Sequence, residues 1–408
     1  MGKKYLQDIL GAAKWFLIAL ITGAVCGLTG VLFHFAVDKA GEAFSRNGFL
    51  IFLLPAAGAA IAALYRGARV PLGTGTDRVF KATRSKEKIP AAVAPLIFVS
   101  SFLTHLFGGS SGREGAALQL GGSLACVGAR FLRMDEDEAH VIELCGMGAV
   151  FSALFGTPVG AAFFVIEVVD VGMIHYRALL PCVISSVTAF GLAQALGVEA
   201  TRFSLEGAAF SLNAISLFKA ALLAALSGLV AILFCEGMHA AAKLQKKLFK
   251  NEYVRAILGG AVVAALTLVV GTRDYNGGGM NVIRRALNGE ARYEAWILKL
   301  LFTAVTLGAG FKGGEIVPSF FVGATFGCAA ASLIGLDPAL GAALGMAGVF
   351  AGVTNAPAAS LLLAVEMFSG AHVVPMALTV SVSYFISGRC SLYHSQAILE
   401  SKFAWRKS

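Results

Sequence analysis

The chain has 408 residues, of which 57% are hydrophobic and only 14% are charged, and its formal net charge is +9. Soluble domains carry about 25% charged residues, so this composition excludes an ordinary soluble domain and predicts an integral membrane protein. The positive charge alone would suit a nucleic-acid partner. The basic residues lie in short breaks between apolar runs, however, so we expect no nucleic acid.

Apolar runs of nearly membrane-spanning length recur along the chain. A helix needs about 20 apolar residues to cross a bilayer, and no alternating pattern indicates a β-barrel. We therefore predict an all-α polytopic membrane protein with ten or more helical segments. Residues 161–169 and 319–336 are expected to be half-length or re-entrant helices. The clearest apolar runs are residues 15–37, 48–64, 215–234, 256–270 and 339–353.

Basic residues predict the orientation of the chain in the membrane. Two basic segments lie between the apolar runs, at residues 66–88 and 243–250, and Lys3 and Lys4 precede the first run. Basic loops mark the cytoplasmic side. If the chain crosses the membrane outward and then returns, the N-terminus and the first basic segment lie on the same side of the membrane. We expect a multi-pass protein of the cell inner (plasma) membrane with a cytoplasmic N-terminus.

The sequence contains an internal repeat. Segment 156–169, GTPVGAAFFVIEVV, parallels segment 354–368, TNAPAASLLLAVEMF, and upstream SGREGAALQLGG parallels KGGEIVPSFFVGA. Several motifs in one order at a nearly constant offset indicate a duplication, which in membrane proteins means two pseudo-symmetric halves around a site near the midplane. We expect one transmembrane domain over 1–408, with repeat 1 about 15–200 and repeat 2 about 215–400, and no cytoplasmic regulatory domain.

Three glycine-rich breaks precede apolar stretches, at residues 73–75, 112–115 and 313–314. Glycine lets the backbone approach closely, and the N–H groups at a helix N-terminus favour an anion. Several such ends converging in the membrane would form an anion site without a full buried positive charge. The alternative is that the glycines only permit tight helix packing.

Glu114 and Arg113 form a charged pair between apolar stretches. An ionisable group within the membrane indicates a functional site. A carboxylate at a helix start can occupy an anion position, and its protonation would free that position, which couples protons to anions. The alternative is an ion pair between Glu114 and Arg113, although adjacent helical residues do not face each other.

The run GSSGREGAALQLGGSLA resembles the G-[KR]-E-G-P motif of the CLC chloride channels and anion/proton exchangers. GTGTD, GGEIVP and SLYHSQ stand in the same order as that family's other signatures. The resemblance spans roughly residues 15–400. It implies a CLC-like fold, in which two inverted-topology repeats with broken half-helices form one pathway in each subunit of a homodimer.

The resemblance also implies roles for single residues. Glu114 matches the gating glutamate that competes with anions and carries protons, and Thr74 matches the central serine whose hydroxyl contacts the anion. Backbone N–H groups at Ile316 and Val317 would coordinate the anion, and Tyr393 would help to close the inner side. The complete set of expected anion-binding residues is Thr74, Gly75, Gly112, Arg113, Gly115, Ile316, Val317 and Tyr393.

Several positions differ from the family pattern, and these differences indicate which anion is transported. Position 168 is valine where many chloride/proton exchangers carry an inner proton-transfer glutamate, and Glu315 stands inside the third motif instead. This combination resembles the bacterial fluoride/proton antiporter branch. Two positions differ from that branch: Thr74 has a hydroxyl group where the branch generally lacks the central serine, and Val317 has none where the branch often carries one. Desolvation favours a neutral carboxyl group, so Glu315 is a candidate second proton site. Its alternative role is a helix cap.

The sequence therefore predicts halide/proton antiport, with fluoride export favoured and with halide, protons and the lipid bilayer as partners. The alternatives are a chloride/proton exchanger and a passive voltage-gated-type chloride channel. An intramembrane hydrolase would need HExxH or a similar arrangement, which is absent, so no enzyme is expected. The seven scattered cysteines form no CxxC, so we expect neither a metal nor a cofactor. Glu167 and Glu366 are interpreted as a structural pair, and His105 as a packed residue.

Overall fold

The fold is taken from a computed structural model of the protein, which describes residues 2–84, 89–205, 207–208, 210–399 and 402. Lys86 and Lys88 of the first basic segment lie outside the described residues.

Eight α-helices form the first half of the described chain, separated by glycine, proline and polar residues that interrupt the apolar runs. Short 3₁₀ helices at Gly48–Leu53 and Tyr176–Ala178 lead into two of them. The helices are α1 (Gly2–Arg46), α2 (Leu54–Gly67), α3 (Thr76–Ala82), α4 (Val93–Leu106), α5 (Glu114–Phe131), α6 (Glu136–Phe155), α7 (Pro158–Glu167) and α8 (Leu179–Ala195).

Eight further α-helices form the second half, and its two shortest helices stand at the same places in the order as those of the first half. The seven-residue α3 corresponds to an eight-residue α11, and the ten-residue α7 to an eleven-residue α15. The predicted architecture of two inverted-topology repeats with broken half-helices is confirmed. These helices are α9 (Ala214–Leu248), α10 (Glu252–Val270), α11 (Met280–Leu287), α12 (Ala295–Ala309), α13 (Ile316–Ile334), α14 (Pro338–Thr354), α15 (Pro357–Met367) and α16 (Val373–Ile386).

Seven helices are long and apolar enough to cross a membrane, and six shorter apolar helices accompany them in the described residues. The multi-pass prediction is therefore confirmed. The half-length prediction is correct for α7, which has ten residues, but wrong for α13, which has 19 and is long enough to span. The small residues of α13 reflect close packing instead. A Cβ atom on Gly327 would lie 2.1 Å from the carbonyl oxygen of Gly341 in α14.

The hydrophobic core lies between the two halves and contains packed aromatic rings. Phe164 and Phe320 both pack on Phe350, with ring centres 5.6 Å and 4.8 Å apart. All three rings are buried. One short parallel strand pair, β1 (Asp170–Val171) and β2 (Ala397–Ile398), attaches the segment after α16 to the end of α7. That attachment positions the loop that carries Tyr393.

Glu167 and Glu366 each cap the N-terminus of a half-helix in the opposite repeat. The Glu167 carboxylate at the end of α7 accepts hydrogen bonds from Ala358 N and Ala359 N of α15, at 3.0 and 2.7 Å. The Glu366 carboxylate accepts from Val159 N and Gly160 N of α7, at 3.0 and 2.7 Å. A carboxylate is favourable at a helix N-terminus. The predicted structural pairing thus has a reciprocal geometry that joins the two repeats.

Removal of either cap should destabilise the fold. Glu167→Ala leaves two N–H groups of α15 without their acceptor, which costs about 1–3 kcal/mol per unsatisfied group. We expect a lower midpoint of thermal unfolding in detergent, and the same for Glu366→Ala. Glu290→Ala, at an exposed position after α11, is the control and should leave the midpoint unchanged. A wild-type midpoint in both cap variants would contradict a stabilising role.

Candidate functional site

The two glycine loops that precede α5 and α13 cross each other at the centre of the molecule. Gly112 N donates to the Gly314 carbonyl oxygen at 2.8 Å, and Gly314 N donates to that of Gly112 at 2.7 Å. A Cβ atom on Gly314 would lie 2.2 Å from the backbone N of Gly115. Only residues without side chains permit this approach. The crossing places the N-termini of α5 and α13 side by side.

The first turn of α13 presents two backbone donors at this crossing. The first N–H groups of a helix have no intrahelical acceptor, and Ser319 N is the first of this helix to bond back, to the Glu315 carbonyl oxygen at 3.0 Å. Pro318 has no N–H. The free donors of this turn are therefore those of Ile316 and Val317, the two residues expected to coordinate an anion. Both residues are buried.

Glu114 is the first residue of α5, and 1% of its surface is exposed. Its Oε2 accepts a hydrogen bond from Arg113 N at 2.9 Å, and its Oε1 lies 3.6 Å from Arg113 Nε. The expected difficulty of pairing neighbours does not apply, because Arg113 precedes the helix and is not part of it. The carboxyl group is folded back over the glycine loop.

Arg113 is held mainly by a carboxylate that sequence reasoning missed. Its Nη1 donates to Asp38 Oδ1 of α1 at 2.6 Å, and Asp38 Oδ2 lies 2.9 Å from His34 Nε2. The structure therefore turns the guanidinium toward α1 and does not bring it to the other expected anion-binding residues. His105 bonds the Ser101 carbonyl oxygen through Nδ1 at 2.8 Å, which agrees with its interpretation as a packed residue.

Glu315 lies on the opposite side of the crossing, next to Gly115. A Cβ atom on Gly115 would be 3.4 Å from Glu315 Oε2. This Oε2 is buried and has no hydrogen-bond partner in the described residues, and the same is true of Tyr393 Oη. Buried polar atoms are normally paired. The two groups are therefore candidates to meet a transported ion or a proton.

The start of α3 completes the inner part of the site, with Thr74 and Gly75 immediately before it. Thr76 Oγ1 lies 3.4 Å from the Gly115 carbonyl oxygen, which connects α3 to the crossing. The Tyr393 ring packs edge-on against Phe80 of α3, with centres 4.7 Å apart. Thr74, Gly75 and Tyr393 are thereby brought beside Gly115.

Further polar residues were missed by the sequence analysis. Gln119 Nε2 bonds Thr76 Oγ1 and the Gly115 carbonyl oxygen at 3.2 and 3.3 Å, and Lys299 and Lys312 are buried on the second half. A charged residue in an apolar stretch was the available signal for the lysines. No group of three or more His, Cys, Asp and Glu side chains that would hold a metal ion occurs in the part of the chain that the structure describes.

Comparison with known proteins gives one matching family and several relatives. The family model "voltage gated chloride channel" matches residues 57–388. A chloride/fluoride channel protein of Pseudomonas syringae pv. tomato is 33% identical over 398 residues, which is 96% of this chain and 88% of that protein. The H(+)/Cl(-) exchange transporter ClcA of Vibrio cholerae is 27% identical over 403 residues, and the match covers 89% of this chain and 84% of that protein.

Solved structures agree with the fold. The crystal structure of a CLC-type fluoride/proton antiporter superposes with a TM-score of 0.91 at 31% identity, and the match covers 95% of this chain and 98% of that chain. A slow cyanobacterial Cl-/H+ antiporter gives a TM-score of 0.78 at 20% identity, over 91% and 94% of the two chains. The CLC-like fold expected from the motifs is confirmed.

The glycine crossing should not tolerate a single added methyl group. Gly314→Ala places a Cβ atom 2.2 Å from Gly115 N, and overpacking costs about 1–3 kcal/mol or more. We expect a lower thermal unfolding midpoint and loss of monodisperse protein in size-exclusion chromatography. Gly128→Ala is the matched control, because a Cβ atom there meets nothing within 4 Å. If both variants had the same unfolding midpoint and elution profile, the crossing would have room for a side chain and the prediction would be wrong.

Proposed function

The chain belongs to the voltage-gated chloride channel (CLC) family, and from this premise we propose that it exports fluoride in exchange for protons. The observation that carries the proposal is the pair of carboxyl groups on either side of the crossed helix N-termini, that of the buried Glu114 and that of Glu315, whose Oε2 is buried. Anion transport follows from the family. The identity of the ion and its coupling to protons are the parts proposed.

Glu114 is proposed as the proton-coupled gate. As a carboxylate it is stabilised by Arg113 N and by the nearby guanidinium, and it occupies the helix N-terminus where an anion would otherwise bind. Protonation removes its charge, and the neutral side chain can then leave the position to a halide. One proton and one anion thus use the same place in turn, which is the basis of exchange.

Glu315 is proposed as the second proton site and as the residue that favours fluoride. Fluoride is small and tightly hydrated, so its dehydration requires strong donors. A protonated carboxyl group is one such donor, and the N–H groups of Ile316 and Val317 in the next two positions are others. Val168 at the end of α7 is fully buried and apolar, so protons are not exchanged there. The unpaired Oε2 of Glu315 supports this role.

The oligomeric state, the membrane and the orientation of the transporter belong to the same proposal. We propose a homodimer in the cell inner membrane, each subunit a single transmembrane domain with its own pathway, and a cytoplasmic N-terminus. The orientation rests on the basic residues at the C-terminal ends of α2 and α9, Arg66 and the pair Lys246 and Lys247. Inverted repeats put these two ends on the same side, and basic ends mark the cytoplasm. The homodimer rests on the family resemblance.

A proteoliposome efflux assay tests the proposal directly. Purified protein is reconstituted in vesicles loaded with fluoride, chloride or nitrate, and anion efflux is recorded together with the external pH. We expect the fastest efflux with fluoride and uphill proton uptake driven by the fluoride gradient. Anion efflux without proton movement would indicate a passive channel. Faster coupled efflux of chloride would indicate a chloride/proton exchanger.

Two isosteric variants separate the roles of the glutamates. Glu114→Gln cannot release a proton or carry a charge, so fluoride-driven proton uptake should be abolished. Glu315→Gln should slow fluoride transport by about tenfold or more, because the amide can still donate a hydrogen bond but cannot take up or release a proton. Glu290→Gln, at an exposed position, is the control. Wild-type proton uptake in Glu114→Gln, or wild-type turnover in Glu315→Gln, would remove the role assigned to that residue.

A further inference from the structure

Lys312 is buried three positions before Glu315, with 6% of its surface exposed. Its ammonium group donates to the carbonyl oxygen of Leu72 and, at 2.8 Å, to that of Thr74. Its Nζ also lies 4.5 Å from the centre of the Tyr65 ring. These contacts occupy the three N–H bonds of a lysine. All of them are neutral groups, so in the described residues the charge is buried without an ion-pair partner.

A buried charge without a counter-charge is costly, so its position calls for a physical reason. The Lys312 backbone is fixed separately, because its N–H donates to Thr104 Oγ1 at 3.2 Å. The side chain then reaches from the loop before α13 in the second half to the loop before α3 in the first. Lys312 therefore joins the two loops that carry Glu315 and Thr74.

The direction of these bonds determines where the glycine amides of the loop point. Peptide bonds in the described chain are trans, so the N–H of each planar unit points opposite to its C=O. The carbonyls of Leu72 and Thr74 point at Lys312, and the N–H groups of Gly73 and Gly75 must point away from it. Neither N–H bonds a backbone carbonyl in the described residues. A Cβ atom on either glycine would meet nothing within 4 Å, so the loop has open space beside both Cα atoms.

We propose that Lys312 is a positioning residue for the transported anion: it holds the carbonyls of Leu72 and Thr74 back, so that the N–H groups of Gly73 and Gly75 face the anion. The charge of its ammonium group attracts the anion to the loop before α3. This inference rests on the proposed anion transport through the same pathway. It adds a residue that does not touch the anion but sets the donors that do.

The test measures initial efflux rates against internal halide concentration in proteoliposomes, which separates the apparent KM from the maximal rate. Lys312→Met keeps the length of the side chain and removes the charge and the donors. We expect its apparent KM to rise about tenfold or more, which is about 1.4 kcal/mol or more, because the N–H groups of Gly73 and Gly75 are no longer held toward the anion. Lys312→Arg retains the charge and should restore much of the affinity.

Lys219→Met is the matched control, because Lys219 also donates to a backbone carbonyl, that of Gly335 at 2.8 Å, but at the exposed start of α9. It should behave as wild type. An unchanged KM in Lys312→Met, or an equal rise in Lys219→Met, would overturn the inference. If Lys312→Met does not pass size-exclusion chromatography, Lys312→Gln is compared with Lys312→Arg, and equal KM values for these two overturn it.

The halide used is the one that the wild type carries. A wild type that carries chloride in place of fluoride contradicts the proposed ion but leaves the Lys312 comparison decisive in either direction. A wild type that carries no halide overturns the proposed function and this inference together. A halide-transporting wild type with an indifferent Lys312→Met overturns the inference alone.

Discussion

The two hydrogen bonds between Gly112 and Gly314 hold two helix N-termini against each other inside an apolar core. Backbones can approach this closely only where side chains are missing, and the glycines on both loops meet that condition. Because α5 and α13 begin at the crossing, their unpaired N–H groups meet there, together with Glu114 at the first position of α5 and Glu315 just before α13. One contact between the repeats thus brings free helix N–H groups and two carboxyl groups together.

Other contacts repeat this arrangement, in which a loop of one half is held by the other half. Asn276 Nδ2 donates to the Gly108 carbonyl oxygen at 2.7 Å, and Gly277 N to that of Gly109 at 3.0 Å. Lys312 holds the loop before α3, and Lys299 Nζ bonds Ser110 Oγ at 3.0 Å. Neither half builds the site alone. The backbone at the site is therefore a fixed frame, and the groups free to move are side chains such as that of Glu114.

The repeat and the glutamates were readable from the sequence because duplicated motifs keep their order, and because charge is rare in apolar stretches. The partners of those charges were not readable. Arg113 meets Asp38 of α1, and no period or spacing in the sequence joins residues so far apart. The length of α13 was misread for a related reason: glycine and alanine look the same whether they shorten a helix or let it pack against α14. Only the packing partner distinguishes these two cases.

Duplication gave Glu114 and Glu315 equivalent positions, but their surroundings differ. The Glu114 carboxyl group accepts a hydrogen bond from a backbone N–H and lies 3.6 Å from a guanidinium nitrogen. Glu315 Oε2 receives no hydrogen bond in the described residues, and the nearby ammonium of Lys312 uses its donors on Leu72, Thr74 and the Tyr65 ring. One repeated motif therefore places two carboxyl groups in different surroundings, one hydrogen-bonded to its own loop and one with an unpaired buried oxygen.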